Sequence, residues 1–419
     1  MSPFLRSCVA VLFSFLFLLE NSSAQEKLSL SQAIALATAN HPEILAVQKE
    51  IDATAGRILQ AGRIPNLEVV ITFNETPTNF NPGDAGEKDL GIFQPIEFPG
   101  KRGARIEVAT HDRAVTTLAL ERFKTVIASR VKKAYYQVLL ADEFAQNLDF
   151  NITLLKDFLK VVTERYQTGT STYLDVIRAK VELARLRNEF VEAQRDNVSK
   201  IGELNLLLGR GGETPVTLTD SLAYQPFTLP QDSAIAMLSA QSVFLKIIER
   251  ESMRSRSLLN LARKSYLPDF GLGFAWQNRR GQLPSAGSAR YFGFELGVSI
   301  PLYFWQAPRG EVQEARAMVD FGALRLEAAR RRVRQSLVNA YRLVEVANQQ
   351  VQSFETALLR DAEDELRAGI SAYQNNQIDA LNLFDIYRTY RAAKIEYARA
   401  LYNYAAARAE LEASAEVPE

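Results

Sequence analysis

The sequence predicts an α+β membrane protein in which two internal repeats each join very long helices to one short β-hairpin. Three observations lead there. Landmarks recur roughly 203 to 207 positions downstream, Pro65 with Pro268, Gly103 with Gly310 and Tyr166 with Tyr373. Two stretches in each copy alternate apolar and other residues with period two, while most of the remainder carries helical periodicity. After the first two dozen residues, no segment offers the ~18 uninterrupted apolar residues of a transmembrane helix, so a barrel is the remaining way to span a bilayer.

The first 24 residues read as a secretory signal, with Arg6 before an apolar run from Cys8 to Leu19 and small residues at Ser22, Ser23 and Ala24. The run is about a dozen residues, short of the roughly 20 that an anchor needs. The mature chain is expected to begin near Gln25. Cys8 is the sole cysteine and leaves with the signal, so neither a disulfide nor a lipid-bearing N-terminal cysteine follows. Lys+Arg and Asp+Glu both total 49, and this balance argues against nucleic acid as a partner.

From Ser31 to Gly62 the chain is helical, interrupted at His41-Pro42 and stopped by Pro65. Leu67, Val69, Ile71 and Phe73 then share one face of a strand, with Glu68, Thr72 and Asn74 on the other. A polar loop from Glu75 to Lys88 leads to a weaker alternation of Leu90, Ile92, Gln94 and Ile96, closed by Pro99-Gly100. Arg102 to about Arg165 contains no proline and predicts on the order of 95 Å of helix. A turn from Gln167 to Ser171 reverses the chain into a helix ending near Leu208-Gly209, and residues 210–230 form a connector.

The second copy repeats this plan over 231–413, followed by a short tail, 414–419; the first copy covers 25–209. Its hairpin, about 268–302 against about 66–98 in the first, is cleaner: Phe270, Leu272, Phe274 and Trp276 alternate with Gly271, Gly273, Ala275 and Gln277. On the return strand Phe292, Phe294, Leu296, Val298 and Ile300 alternate with Gly293, Glu295, Gly297 and Ser299, so large residues face out and small ones in. Four strands do not close a barrel, and open edges in lipid cost several kcal/mol per unsatisfied group. Several chains must contribute; two copies would give eight strands and three would give twelve.

The opening Leu28-Ser29-Leu30, Gln32-Ala33 and Asn40-His41-Pro42-Glu43, the junction from Phe93 to Arg102, the turn from Arg165 to Gly169 with Tyr173-Leu174-Asp175-Val176, and Tyr402-Asn403-Tyr404 together resemble the TolC family of outer-membrane efflux proteins. The junction is most similar to the heavy-metal-cation branch. The resemblance implies a homotrimer in the outer membrane of a Gram-negative bacterium, with a twelve-stranded barrel in outer-membrane lipid and a long helical extension through the periplasm. It also implies a periplasmic adaptor, or membrane fusion, protein and an inner-membrane pump as partners.

The same resemblance puts Asn382 and Asp385 where the family carries aperture acids, with Asp175 a further candidate; only Asp385 keeps the carboxylate on the closing helix. It makes the two helix turns, with Thr168, Gly169, Thr170, Asn375 and Asn376, the expected adaptor contacts. Read from the residues themselves, Arg63, Lys101, Arg102, Arg105, Arg263, Lys264 and Arg309 flank the hairpins and suggest a basic girdle toward lipid phosphates. The run Arg330 to Arg334 falls within a long helix, where acidic neighbours on adjoining helices are expected to pair with it.

His41 and His111 stand apart, without metal-ligand spacing, and no phosphate loop, nucleophile elbow or acid/base constellation appears. No enzyme, cofactor or metal centre is therefore expected. Two other readings stay open at this point: a channel for type I protein secretion, and a secreted periplasmic coiled-coil scaffold, which the two hairpins disfavour.

Overall fold

The computed structural model describes residues 26–78, 81–280 and 287–416. The expected signal segment and the end of the tail lie outside them. In chain order the elements are β1 (Glu26–Leu28), α1 (Leu30–Asn40), α2 (Pro42–Ala61), β2 (Glu68–Asn74), β3 (Glu87–Ile96), α3 (Lys101–Gln167), α4 (Tyr173–Leu207) and β4 (Val216–Leu218). They continue with α5 (Gln231–Gln241), α6 (Val243–Arg263), β5 (Asp269–Arg280), β6 (Ser288–Ser299), α7 (Ala307–Ser353), α8 (Leu359–Gln374) and α9 (Ala380–Ala413). A π-helical turn, Phe354–Leu358, joins α7 to α8.

Local chemistry fixes several of these boundaries. Ser29 opens α1 with a capping box closed by Gln32, and the helix stops at His41 because Pro42 has no N–H to continue it. Pro42 then begins α2, where a missing donor costs nothing. The chain forms two compact units. One holds the described residues through Leu45 with Phe123–Gln241 and everything from Val333 onward; the other holds Ala46–Arg122 and Ser242–Arg332.

In the first unit the core is a coiled-coil seam. Ala145, Leu148, Ile152, Leu155, Phe158 and Val162 of α3 recur at steps of three and four, and Val176, Ala179, Leu183, Leu186 and Ala193 of α4 at steps of three, four and seven. Tyr373, Ala380, Leu383 and Phe384 from α8 and α9 complete it. Phe158 is its hub, with the rings of Tyr373 and Phe384 centred 5.2 and 5.1 Å away.

Elsewhere in that unit, β1 pairs in parallel with β4, aligning Leu28 with Leu218. The hydroxyl of the fully buried Tyr135 lies 2.9 Å from both the Leu28 carbonyl and the Asp220 carboxylate. Burial, and then the Asp220 charge, raise that phenol far above its ordinary range. Asp220 also accepts the Leu30 N–H at 2.8 Å, in the first turn of α1, where the helix dipole favours an anion.

The second unit contains an antiparallel sheet in the order β2-β3-β5-β6. Its register brings Ile71, Leu90, Trp276 and Phe292 into one row, and Val69, Ile92, Phe274 and Phe294 into the next. The side chains of this apolar face are largely exposed, Phe294 to 87%. The opposite face carries Glu68, Thr72, Asp89, Gly91, Gly273, Ala275, Gly293 and Glu295.

Phe93 departs from the small-inward pattern. Its ring lies over Gly271, Gly273 and Gly297, so close that a Cβ built on Gly271 would fall 2.1 Å from Phe93 Cζ. Glycine here is a seat for an aromatic side chain from a neighbouring strand.

Candidate functional site

Both helix turns of the first unit use the same backbone device. Gly169, at φ 75°, follows α3, and Asn376, at φ 60°, follows α8, each in the left-handed region that glycine and asparagine tolerate. The Thr170 N–H returns to the Arg165 carbonyl and the Gln377 N–H to that of Ala372, both at 2.8 Å, closing two Schellman motifs. The following helices also start alike. Thr172 caps α4 and Asp379 caps α9, accepting the backbone N–H of Asp175 and Asn382 respectively.

Two of the three aperture candidates, Asp175 and Asn382, thus occupy equivalent cap positions. The Asp175 carboxylate accepts the Thr172 hydroxyl at 2.7 Å, the Thr172 N–H at 3.1 Å and the Ser171 hydroxyl at 3.1 Å. Burial pushes this carboxyl up, but the hydrogen bonds from Thr172 and Ser171 outweigh it and hold the pKa below the ordinary range. Asp385 is exposed and lies 3.4 Å from Arg388, whose other terminal nitrogen is 3.3 Å from Glu182.

Asp175→Ala is expected to destabilise the start of α4 by about 1 kcal/mol, whereas Asp175→Asn should cost less. Because the folded pKa is depressed, the contribution of this carboxylate is complete above the unfolded value, about 3.9, and fades as pH falls through the folded value. Hydrogen exchange in the α3–α4 turn checks this. Equal protection of the wild type and the alanine variant at neutral pH would refute the cap.

Thr168, Gly169, Thr170, Asn375 and Asn376, the adaptor-contact candidates, are all exposed. The residue that joins the two turns is Arg165. Its guanidinium donates to the carbonyls of Tyr373 and Gln374 at 2.9 and 2.8 Å and to Asn376 Oδ1 at 3.0 Å, and lies 4.5 Å from the centre of the Tyr373 ring. It thereby gives a donor to the Gln374 carbonyl at the end of α8 and a further one to that of Tyr373, which also accepts the Asn376 N–H. Sequence reasoning included Arg165 in the turn motif but gave it no role. The equivalent position in the second repeat is Ala372, and that asymmetry was the available signal.

In the second unit the seven girdle candidates divide. Lys101 sits 2.9 Å from Asp269 and donates to the Leu267 carbonyl at 2.9 Å, while Asp269 also accepts the Phe98 N–H at 2.7 Å. Arg105 forms a fork on Glu97 at 2.5 and 2.8 Å, which keeps its guanidinium pKa raised. Lys264 donates to the Gly100 carbonyl at 2.8 Å. Lys101 and Lys264 tie the helix-proximal ends of the two hairpins together and Arg105 braces the first of them, whereas Arg63, Arg102, Arg263 and Arg309 have exposed side chains. In the arginine run, Arg330 meets Glu249 at 2.9 Å and Arg331 meets Glu327 at 2.5 Å.

Among the described residues no helix is long and apolar enough to cross a membrane, and no group of three or more His, Cys, Asp or Glu is positioned to hold a metal ion.

The family described as outer membrane efflux protein matches residues 33–210 and 238–415. The cobalt-zinc-cadmium resistance protein CzcC of Cupriavidus metallidurans is 25% identical over 370 residues, covering 88% of this chain and 85% of that protein. CnrC, a nickel and cobalt resistance protein of the same organism, is 23% identical over 308 residues, or 72% and 69% of the two chains. Among solved structures CusC superposes with a TM-score of 0.75 at 17% identity, over 92% of this chain and 91% of that one. The chain belongs to the outer membrane efflux protein family, and it acts as a channel component of an efflux system rather than as an enzyme.

Proposed function

We propose that three copies assemble into a twelve-stranded barrel in the outer membrane, continued by a helical periplasmic conduit, which passively releases heavy-metal cations delivered by a pump and its adaptor. The observation that carries this reading is the four-stranded sheet, apolar and exposed on one face. Among the described residues β2 and β6 each have one edge without a strand partner. In lipid those edges need strands from other copies.

A second feature supports self-assembly. Opposite its buried seam, α4 exposes Val181, Val191 and Val198, with relative exposures of 62, 64 and 70%. Such a stripe suits a neighbouring helix. Cation cargo is supported by the cobalt, zinc, cadmium and nickel resistance named for the relatives. In this reading the two repeats each supply a hairpin and a helix pair, Asp385 lines the periplasmic aperture and the exposed turn residues meet the adaptor. Arg63, Arg102, Arg263 and Arg309 face lipid phosphates.

Mass measurement in mild detergent, combined with planar-bilayer recording, tests the conduit. A trimer with discrete currents is expected; a monomer without currents would refute it. For the cargo, deleting the chain from its host should lower tolerance to cobalt, zinc and cadmium while leaving dye tolerance intact. The reverse pattern would reassign the substrate class.

A further inference from the structure

Among α3, α6 and α7, within the second unit, lies an open groove of about 450 Å³. Its apolar surface comes mainly from Leu258, Leu261 and Ala262 of α6 and from Met318 of α7. Lys101 and Arg105 line it from α3, and Glu311 and Glu314 from α7. Small-molecule sites span roughly 300–1,000 Å³ and combine an apolar lining with a few placed polar groups, and this groove fits both descriptions.

The charges around it do not cancel. Lys101 is held by Asp269 at 2.9 Å, and Arg105 by the fork on Glu97, so both cations are already neutralised. Glu311 and Glu314 are exposed, and neither has an ion-pair partner among the described residues. Because α7 begins at Ala307, both lie beyond its first turn, and the helix dipole does not account for them. Three positions apart, they share a helix face and repel each other.

We propose that this groove is a binding site for an amphipathic organic cation, with its apolar body on Leu258, Leu261 and Met318 and its charge between Glu311 and Glu314. Such a ligand covers apolar surface and relieves the repulsion of the two carboxylates together. The thioether of Met318 adapts to bodies of different outline. Two carboxylates beside apolar side chains offer a hard divalent ion too few oxygens to replace its water, and an anionic lipid headgroup would meet the wrong charge. The site goes beyond the conduit proposed above and does not rest on it, because every lining residue belongs to one unit of one chain.

Tetraphenylphosphonium tests it, with tetraphenylborate, of the same shape and opposite charge, as counter-probe. Binding of each to the purified full chain is measured by equilibrium dialysis against protein-free micelles of the same detergent. Saturable binding of the phosphonium and none of the borate is expected. Glu311→Gln combined with Glu314→Gln should weaken phosphonium binding about tenfold, the scale of two exposed charge contacts. Ala262→Leu, which keeps both carboxylates but fills apolar space, should weaken it as well, with an unchanged circular dichroism spectrum showing that the variant folds.

Equal uptake of phosphonium and borate, or full phosphonium binding by the double glutamine variant, would overturn the site. Binding to separated chains that vanishes in the assembled oligomer would overturn it too, since the groove would then be a face between copies.

Discussion

Replacing Arg165 by alanine should raise the open probability of the reconstituted channel by at least about tenfold. The guanidinium makes three hydrogen bonds to the α8–α9 turn, to Tyr373, Gln374 and Asn376, and lies against the Tyr373 ring. Charged hydrogen bonds contribute about 1.5–3 kcal/mol each when sheltered, and the ring contact about 0.5–1 kcal/mol. Solvent reduces this at a half-exposed site, so about 2–4 kcal/mol should hold the two turns together.

Each 1.4 kcal/mol is about a factor of ten in an equilibrium, and loss of the latch favours separation of the turns by that scale. Arg165→Lys should fall between wild type and alanine, since an ammonium has no planar fork for three acceptors. Single-channel recording checks the series. Indistinguishable open probabilities for wild type and alanine would show that the latch is structural only.

The second large effect is expected at the glycine seat. In Gly271→Ala the new methyl would lie 2.1 Å from Phe93 Cζ and under 3.0 Å from two more ring atoms. The strand ladder pairs Phe93 with Gly273 and Gln94 with Leu272, so the backbone offers the ring little retreat. Overpacking of this kind costs about 1–3 kcal/mol, and here it falls within the strand pair that links the two hairpins.

The expected result is a loss of thermal stability, read as a lower unfolding midpoint by circular dichroism. Phe93→Ala combined with Gly271→Ala should recover part of it, because the clash requires both side chains. Gly310→Ala is the control: nothing lies within 4 Å of its added methyl, and in a helix alanine is favoured. Equal stability of Gly271→Ala and wild type would show that Phe93 does not occupy the seat.

Periodicity made much of the fold legible. Val69, Ile71 and Phe73 announce a strand because period two has no other common source, and the spacing from Leu148 to Val162 announces a helical seam. Juxtapositions across the repeats were not legible. Lys101 looked like a free cation because Asp269, 168 residues away, is invisible to local pattern. Phe93 contradicted its strand's alternation, and only the register with Gly271 and Gly273 explains why. Asp175 could have been read as a cap from Thr172-x-x-Asp175, a pattern as plain as any in the chain.

The parallel pairing of β1 with β4 has a consequence in time. Glu26–Leu28 is the first described strand, yet its partner Val216–Leu218 and the carboxylate of Asp220, which holds the Leu30 N–H across 190 residues, come about half a chain later. Synthesis from the N-terminus delivers the strand long before its mate. Throughout that interval the segment must stay extended and unaggregated, closing a loop whose entropy cost falls late in folding. Maturation of this region thus waits on arrival of the connector, and a stall before Val216 strands the opening of the chain without its docking site.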